Sequence, residues 1–128
     1  MDYNDLIINA KAVSENAYAP YSKFFVGACV LGESGETYVG CNVENASYGL
    51  SICAERNAIM NAVANGEKAI RAVAIYSPNV ENCLPCGACR QFIFEFQKDV
   101  EVEVVTQTKT GYILHKINEL LPEGFKIP

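Results

Sequence analysis

The chain has 128 residues, of which 50% are hydrophobic and 20% are charged, and this composition excludes an intrinsically disordered protein. Its net charge of −5 and the lack of a Lys/Arg cluster argue against nucleic acid as its partner, because binding to a phosphate backbone depends on basic side chains. A small, uncharged or weakly charged substrate fits this charge balance better.

The N-terminal sequence MDYNDLIINAKAVSENAYAP begins acidic and lacks the apolar core of a signal peptide. No apolar run reaches the roughly 18 residues that are needed to span a membrane. We therefore expect a cytoplasmic protein with no membrane partner. In that reducing compartment, cysteines bind metals or catalyse reactions more often than they form disulfides.

The first half of the chain predicts one helix and a hairpin. Hydrophobic residues at helical spacing predict a helix over about residues 2–18, which Pro20 closes. Residues 25–31 (FVGACVL) and 36–40 (ETYVG) predict two strands joined by a GESG turn. Polar residues over 42–51 predict a loop.

Two helices that carry cysteine near their start follow. The sequence CAERNAIMNAVA over 53–64 is rich in helix formers, and Pro85 predicts the first turn of a second helix over 85–97. Between them, the apolar run at 70–76 predicts a strand that is buried on both faces. Further elements are expected at 100–106 (strand), 111–117 (strand) and 118–121 (helical turn). This alternation predicts one α/β domain, and the opening hairpin makes its sheet mixed.

Three cysteines predict a metal site. Cys86 and Cys89 are separated by two residues, a spacing that lets both sulfurs reach one ion, and Cys53 begins the other helix. Helix N-termini favour negative charge and therefore favour thiolates, which are the form that zinc binds. We predict Zn²⁺ held by these three residues. Three protein ligands leave a fourth position for water, which is typical of a catalytic zinc.

Cys83 leaves an alternative open. With Cys86, Cys89 and a remote fourth cysteine it could hold an iron–sulfur cluster, and a non-catalytic zinc module is a further possibility. Cys83 precedes Pro85, so we expect it to lie outside the helix and not to bind the metal. The remaining candidates have structural interpretations. They are the core thiols Cys29 and Cys41, and His115, which has no partner motif.

Charged residues beside the cysteines predict the chemistry. Glu55 lies two residues after Cys53, close enough to move protons without binding the metal. Three thiolates and Zn²⁺ sum to a charge of −1, which would weaken the metal as a Lewis acid. Arg56 and Arg90 each follow a ligand segment and are candidates to donate hydrogen bonds to the thiolates. We favour Arg56 for this role.

The combination of CAE and PCGAC resembles the signature of zinc nucleoside deaminases. Longer segments resemble the small homotetrameric cytidine deaminases, in the same order along nearly the whole chain. They are APYSKFFVGA (19–28), GCNVENASYG (40–49), CAERNA (53–58), PCGACRQ (85–91) and LLPEGF (120–125).

This resemblance implies a single cytidine deaminase-like catalytic domain over residues 1–128. It implies a three-layer α/β/α fold around a mixed five-stranded sheet and one Zn²⁺ per subunit. The implied reaction hydrolyses cytidine and 2′-deoxycytidine to uridine, 2′-deoxyuridine and ammonia, as in pyrimidine salvage. Glu55 is expected to carry a proton from water to the ring nitrogen and a second one to the leaving amine.

The resemblance also implies substrate-binding residues. Phe24 is expected to pack against the pyrimidine, and the backbone N–H of Ala54 to contact the base carbonyl. In a homotetramer with shared active sites, Tyr48 and Phe125 are expected to be lent to a neighbouring subunit's site, with the Ala46 backbone nearby. Phe125 lies three residues from the end of the chain, where a core residue is not expected.

Asn42 and Glu44 are implied to bind the ribose hydroxyl, and their spacing agrees with that role. In extended backbone, side chains two residues apart face the same way. An amide and a carboxylate together can donate to and accept from one hydroxyl. This pair favours a nucleoside over a free base. A related deaminase acting on another base, nucleotide or nucleoside antibiotic remains an alternative.

Overall fold

The structure is a computed structural model that describes residues 2–128. Its helices are α1 (Tyr3–Ser14), α2 (Ala54–Ala64), α3 (Gly87–Phe94) and α4 (Ile117–Leu120), with a 3-10 turn at Tyr48–Leu50. Its strands are β1 (Gly27–Gly32), β2 (Thr37–Cys41), β3 (Ile70–Tyr76), β4 (Glu103–Thr108) and β5 (Gly111–Lys116). Within this described range, no helix combines the length and the hydropathy that crossing a membrane requires.

The strands form one sheet in the order β2-β1-β3-β4-β5. β3 and β4 pair in parallel, whereas β1–β2, β1–β3 and β4–β5 are antiparallel pairs. The predicted mixed sheet of five strands is therefore confirmed. The one parallel pair is joined through α3, as a parallel connection requires a crossover.

Helices cover both faces of the sheet, which confirms the three-layer fold. Side chains along β3 alternate between the two faces and are apolar on both. Ala72 and Ala74 face α1, while Val73 and Ile75 face the opposite layer. One buried cluster joins α1 to the sheet through Leu6, Ile7, Ala10, Cys29, Ala72, Ala74 and Val105. The other cluster includes Ala58 and Ile59 of α2, Ile93 of α3 and Ile117 of α4.

The first helix is shorter than predicted. It ends at Ser14, because the chain then leaves α1 and pairs with the segment after β2. The backbone N–H of Tyr18 donates to the Asn42 carbonyl at 2.9 Å, and the N–H of Glu44 donates to the Tyr18 carbonyl at 2.8 Å. This bridge between two loops brings residues 19–26 next to residues 42–44. No helical periodicity could predict it.

Glycine allows α2 to approach the sheet closely. A Cβ at Gly40 of β2 would overlap the backbone nitrogen of Ala58 in the middle of α2. Any larger residue at this position would therefore have to push the helix away from the sheet. Because α2 begins at the residue after Cys53, the same contact also sets the position of that cysteine.

Substitution of Gly40 by Ala is predicted to reduce the free energy of unfolding by about 1–3 kcal/mol, the usual cost of overpacking. Urea denaturation followed by circular dichroism measures the change. Gly49→Ala is the matched control, because a Cβ at Gly49 meets nothing within 4 Å. Equal stability of the two variants would contradict the close approach of α2 to β2.

Candidate active site

Two helix N-termini bring the three predicted zinc ligands together. Cys53 is the N-cap of α2, Cys86 is the N-cap of α3, and Cys89 lies in the first turn of α3. Both N-cap residues have extended backbone, with ψ of 155° and 169°. Pro85 was expected to begin the second helix, and this detail is wrong, since α3 begins at Gly87. The Pro85 carbonyl instead accepts a hydrogen bond from Arg90 Nε at 2.8 Å.

The three thiols have a spacing that fits one zinc ion. Their sulfur atoms all lie within 4.8 Å of one another, and the sulfurs of Cys53 and Cys86 are 3.9 Å apart. Tetrahedral zinc with Zn–S bonds of about 2.3 Å requires sulfurs separated by about 3.8 Å. A set of three soft thiolates is also the chemistry that zinc selects. The cluster therefore fits Zn²⁺.

The three thiols differ in their exposure and in their affinity for protons. Cys89 is buried, Cys53 is half-buried and Cys86 is exposed. Hydrogen bonding with Cys89, together with donation from Arg56 and Cys86, lowers the pKa of Cys53 to about 5. Donation to Cys53, with burial, raises the pKa of Cys89. The surroundings of Cys53 therefore favour its thiolate form, which is the form that binds a metal ion.

Arg56 supplies positive charge to this cluster. Its Nη2 atom lies 3.5 Å from the sulfur of Cys53, and that contact is the first cause of its raised pKa. Its Nε is buried and has no hydrogen-bond partner among the described residues. Arg90, the other candidate, directs Nε to the Pro85 carbonyl and Nη1 to the Leu120 carbonyl. These two hydrogen bonds connect the loop before Cys86 to α4.

Glu55 is the most buried carboxylate near the cluster. Only 5% of its surface is exposed, and it lines the same cavity as Cys53 and Cys86. Burial, together with the negative charge of Cys53, raises its pKa to about 7. A carboxyl group with this pKa exists in both protonation states at neutral pH. It can therefore accept and release a proton during one reaction cycle.

Cys83 is not part of the three-thiol cluster. It is half-buried against the core of the α2 side, where burial raises its pKa to about 11. The preceding residue, Asn82, has a positive φ of 49°. The Oδ1 atom of Asn82 accepts from Thr106 Oγ1 at 2.6 Å and lies 3.2 Å from His115 Nε2. The lone histidine therefore supports the turn that leads into the cysteine loop, consistent with the structural role expected for it.

A cavity of about 210 Å³ opens beside the cluster. It brings together five of the predicted substrate or catalytic residues with two of the predicted ligands. Its lining consists of Ser22, Phe24, Val26, Asn42, Glu44, Cys53, Ala54, Glu55, Cys83, Leu84 and Cys86. The cavity is therefore mostly apolar with a few polar groups, as is usual for a small-molecule site.

Asn42 faces the cavity and also holds its wall. Its Oδ1 accepts from the N–H of Val26 at 2.9 Å, and its Nδ2 donates to the Phe24 carbonyl at 2.8 Å. Each of these polar atoms can make one further hydrogen bond, because an amide oxygen has two lone pairs and an amide nitrogen has two hydrogens. Asn42 can therefore position Phe24 and still contact a ligand.

Glu44 likewise lines the cavity and bonds to the backbone of its wall. One carboxylate oxygen accepts from the N–H groups of Tyr21 and Ser22, at 3.0 and 3.1 Å, and the other accepts from the Ser22 hydroxyl. The Ser22 hydroxyl and these N–H groups lower the pKa of Glu44 although burial opposes this. The carboxylate is therefore ionised at neutral pH. Ser22 has no motif of its own in the sequence, and only this contact shows its role.

Three of the predicted substrate-binding residues lie apart from the cavity lining, namely Ala46, Tyr48 and Phe125. Tyr48 is 76% exposed, and its ring packs edge-on against Tyr21 with 6.1 Å between ring centres. Phe125 is 65% exposed, and its backbone N–H and carbonyl both bond to the side chain of Gln91. Ala46 is exposed in the loop before Tyr48. Within one chain, these three residues do not join the cavity.

Comparison with known proteins identifies related chains. The family model described as the cytidine and deoxycytidylate deaminase zinc-binding region matches residues 2–106. The chain is 42% identical to the cytidine deaminase of Sporosarcina psychrophila over 125 residues, which cover 98% of this chain and 92% of the relative.

Solved structures agree with this result. The crystal structure of cytidine deaminase from Burkholderia pseudomallei matches with a TM-score of 0.90 and 43% identity, over 98% of this chain and all of the other. The crystal structure of cytidine deaminase from Mycobacterium tuberculosis matches with a TM-score of 0.86 and 35% identity, over 99% of both chains.

Metal analysis distinguishes the ligands from the fourth cysteine of the region. We expect the purified wild-type protein to contain about one zinc per chain and no iron. Cys86→Ala is predicted to lower the zinc content at least about tenfold, because two thiolates bind zinc much more weakly than three. Plasma mass spectrometry of the dialysed proteins measures both metals.

Cys83→Ala is the matched control for this experiment, since its sulfur lies in the same loop but outside the three-thiol cluster. It should retain full zinc. Loss of metal from Cys83→Ala, or a coloured protein that contains iron, would contradict the three-cysteine zinc site.

Proposed function

The chain belongs to the cytidine and deoxycytidylate deaminase family, and from that premise we propose that it hydrolyses cytidine and 2′-deoxycytidine to uridine and 2′-deoxyuridine, with release of ammonia. The observation that carries this proposal is the position of Glu55. A buried carboxyl group with a pKa near neutrality lines one cavity together with the thiols of a zinc cluster. Hydrolytic deamination needs this combination of groups.

Cys53, Cys86 and Cys89 would hold the zinc ion. When bound, zinc supplies Lewis acidity that lowers the pKa of water toward about 7 and so makes it a nucleophile at neutral pH. Arg56 offsets the negative charge of the thiolates through its contact with Cys53. We propose that this contact keeps the thiolates from weakening that acidity.

Glu55 performs the proton transfers. Its carboxylate takes a proton from the attacking water and delivers it to the ring nitrogen next to the amine-bearing carbon. A C–O bond then forms at that carbon. Glu55 transfers the second proton from the new hydroxyl to the amine, the C–N bond breaks, and ammonia leaves. The consumption of one water and the release of one ammonia balance the reaction.

The cavity wall recognises the nucleoside. Phe24 packs against the pyrimidine ring, and the backbone N–H of Ala54, at the N-terminus of α2, donates to the base carbonyl. Asn42 and Glu44 use their remaining hydrogen-bonding capacity for the ribose hydroxyl. The ionised carboxylate of Glu44 also disfavours a phosphorylated sugar, because like charges repel inside a small cavity. We therefore propose a nucleoside substrate in place of a nucleotide.

We propose that the protein is a cytoplasmic homotetramer with shared active sites. None of the six cysteines is paired in a disulfide, which suits a reducing compartment. Two large hydrophobic side chains, Tyr48 and Phe125, are exposed outside the cavity of their own chain. Docking against a second copy would bury them and place them, with the Ala46 backbone, at the mouth of a neighbouring cavity.

Substitution of Glu55 by Gln tests the reaction. The amide has nearly the same shape but cannot accept the proton, so we expect retained zinc and a loss of kcat of about 10³-fold or more. The fall in ultraviolet absorbance of cytidine measures turnover, and the free base cytosine should react far more slowly.

Glu67→Gln is the control, because Glu67 is also buried but lies outside the cavity, where it accepts hydrogen bonds from Ser34 and Tyr38. Its activity should stay close to wild type. High residual turnover in Glu55→Gln would refute the proton-transfer role. Zinc binding with no deamination by the wild-type protein would favour a non-catalytic zinc module.

Co-expression of two variants tests the shared site. Phe125→Ala alone is predicted to raise KM for cytidine about tenfold, as expected for loss of a buried aromatic contact. In a mixed tetramer, a Phe125→Ala subunit keeps its own Glu55 and receives Phe125 from a Glu55→Gln neighbour. Mixed tetramers isolated by two affinity tags should therefore show catalytic efficiency above the mean of the two parents. A value at that mean would contradict the exchange of Phe125 between subunits.

A further inference from the structure

The segment that carries Phe24 lies between two other segments of the chain without belonging to the sheet. β1 begins at Gly27, which pairs with Cys41 of β2 on one side and with Tyr76 of β3 on the other. Residues 23–26 continue N-terminally from that point. There the two neighbouring strands end. The N–H of Asn42 still donates to the Val26 carbonyl at 3.3 Å, and side chains supply further hydrogen bonds to the segment.

On the β2 side, the side chain of Asn42 bonds to the Phe24 carbonyl and to the N–H of Val26. Its side-chain amide thus bonds to two residues of the segment that are two positions apart, as the backbone of a neighbouring parallel strand would. Asn42 also lines the cavity, so this contact belongs to the site already described.

On the β3 side, Asn79 makes the equivalent pair of hydrogen bonds one residue earlier. Its Oδ1 accepts from the N–H of Phe25 at 3.0 Å, and its Nδ2 donates to the Lys23 carbonyl at 3.3 Å. The neighbouring Ser77, which is only 3% exposed, donates its hydroxyl to the Phe25 carbonyl at 2.7 Å and accepts from the N–H of Asn79 at 3.1 Å. Three hydrogen bonds therefore join the turn after β3 to residues 23–25 of this segment.

The backbone conformation of Lys23 explains why these hydrogen bonds are needed. Lys23 has a positive φ of 60°, which is unfavourable for a residue with a side chain. The segment changes direction there, immediately before Phe24. A hydrogen bond to the Lys23 carbonyl helps to hold the peptide in this conformation, and the backbone N–H and carbonyl of Phe24 are held by Ser22 and Asn42.

We infer that Asn79, which lies outside the cavity lining, is a positioning residue that holds Phe24 in place for the substrate base. This inference rests on the proposed function, because it assigns Phe24 to the pyrimidine. Asn42 and Asn79 bind opposite edges of one extended segment, and the side chain of Phe24 between them faces the cavity. The hydrogen bonds of Asn79 reach Lys23, Phe25 and Ser77, and none of them reaches the three cysteines or Glu55.

Kinetics of Asn79→Ala test the role. We expect KM for cytidine to rise about tenfold while kcat changes less than about twofold, because the lost contact serves substrate binding and not the chemical step. Asn79→Asp keeps the acceptor for Phe25 and loses the donor to Lys23, so its KM should rise only about threefold. Asn65→Ala is the matched control, since Asn65 bonds only within the end of α2, to Asn61.

Hydrogen exchange provides a second readout that needs no substrate. The amide of Phe25 should exchange about tenfold faster in Asn79→Ala than in wild type, whereas the amide of Val26, which Asn42 holds, should keep its rate. Unchanged exchange at Phe25, or faster exchange with an unchanged KM, would overturn the inference.

The two proposals fail in different ways. A wild-type protein that binds cytidine without deaminating it would refute the proposed function alone. Calorimetric titration of cytidine into the Glu55→Gln protein, with and without Asn79→Ala, then decides the positioning role. A dissociation constant about tenfold larger for the double variant than for Glu55→Gln alone supports the positioning role, and an equal constant overturns it.

Discussion

The site depends on one constraint, which is that three thiolates must lie within a few ångströms of each other to bind one zinc ion. Cys53 and Cys86 are the N-caps of α2 and α3, and both have extended backbone. The N-termini of the two helices therefore lie side by side, with the three sulfur atoms between them. Thiolates repel one another, and helix N-termini together with Arg56 reduce that cost. Each helix is then fixed by a separate contact. Gly40 lets α2 approach β2, and Arg90 ties the loop before α3 to α4.

The substrate cavity is built by a different principle. Its wall over residues 21–26 belongs to no strand, and polar side chains supply the hydrogen bonds that a neighbouring strand would otherwise provide. Asn42 and Glu44 satisfy backbone N–H groups of this wall while facing the cavity. These hydrogen bonds are made within the chain itself, so the two side chains support the wall before any ligand binds. Ligand recognition therefore needs little further reorganisation.

The pKa values of the two acidic groups of the cavity are shifted in opposite directions. Glu55 is nearly inaccessible, and burial raises its pKa to about 7, which suits a group that must accept and release a proton. Glu44 receives hydrogen bonds from Ser22 and from two backbone N–H groups, and these contacts lower its pKa. Near neutral pH one carboxyl group can thereby gain and lose a proton while the other stays charged. The difference arises from their surroundings, since an isolated Glu has the same pKa at either position.

The sequence by itself determined the elements, the sheet type and the three zinc-binding cysteines. The elements follow from local periodicity, Cys86 and Cys89 from their short spacing, and Cys53 from its place at the start of the other helix. It also placed Glu55 close to Cys53, since only Ala54 lies between them at the start of α2. Only the tertiary structure decided that α1 ends early to pair Tyr18 with residues 42–44, that α3 begins after Cys86 and not at Pro85, and that Asn79 and Ser77 hold the Phe24 segment. Each of these contacts joins residues distant in the chain, or depends on a local geometry that such contacts impose. No periodicity records which distant backbone groups a single asparagine or serine will satisfy.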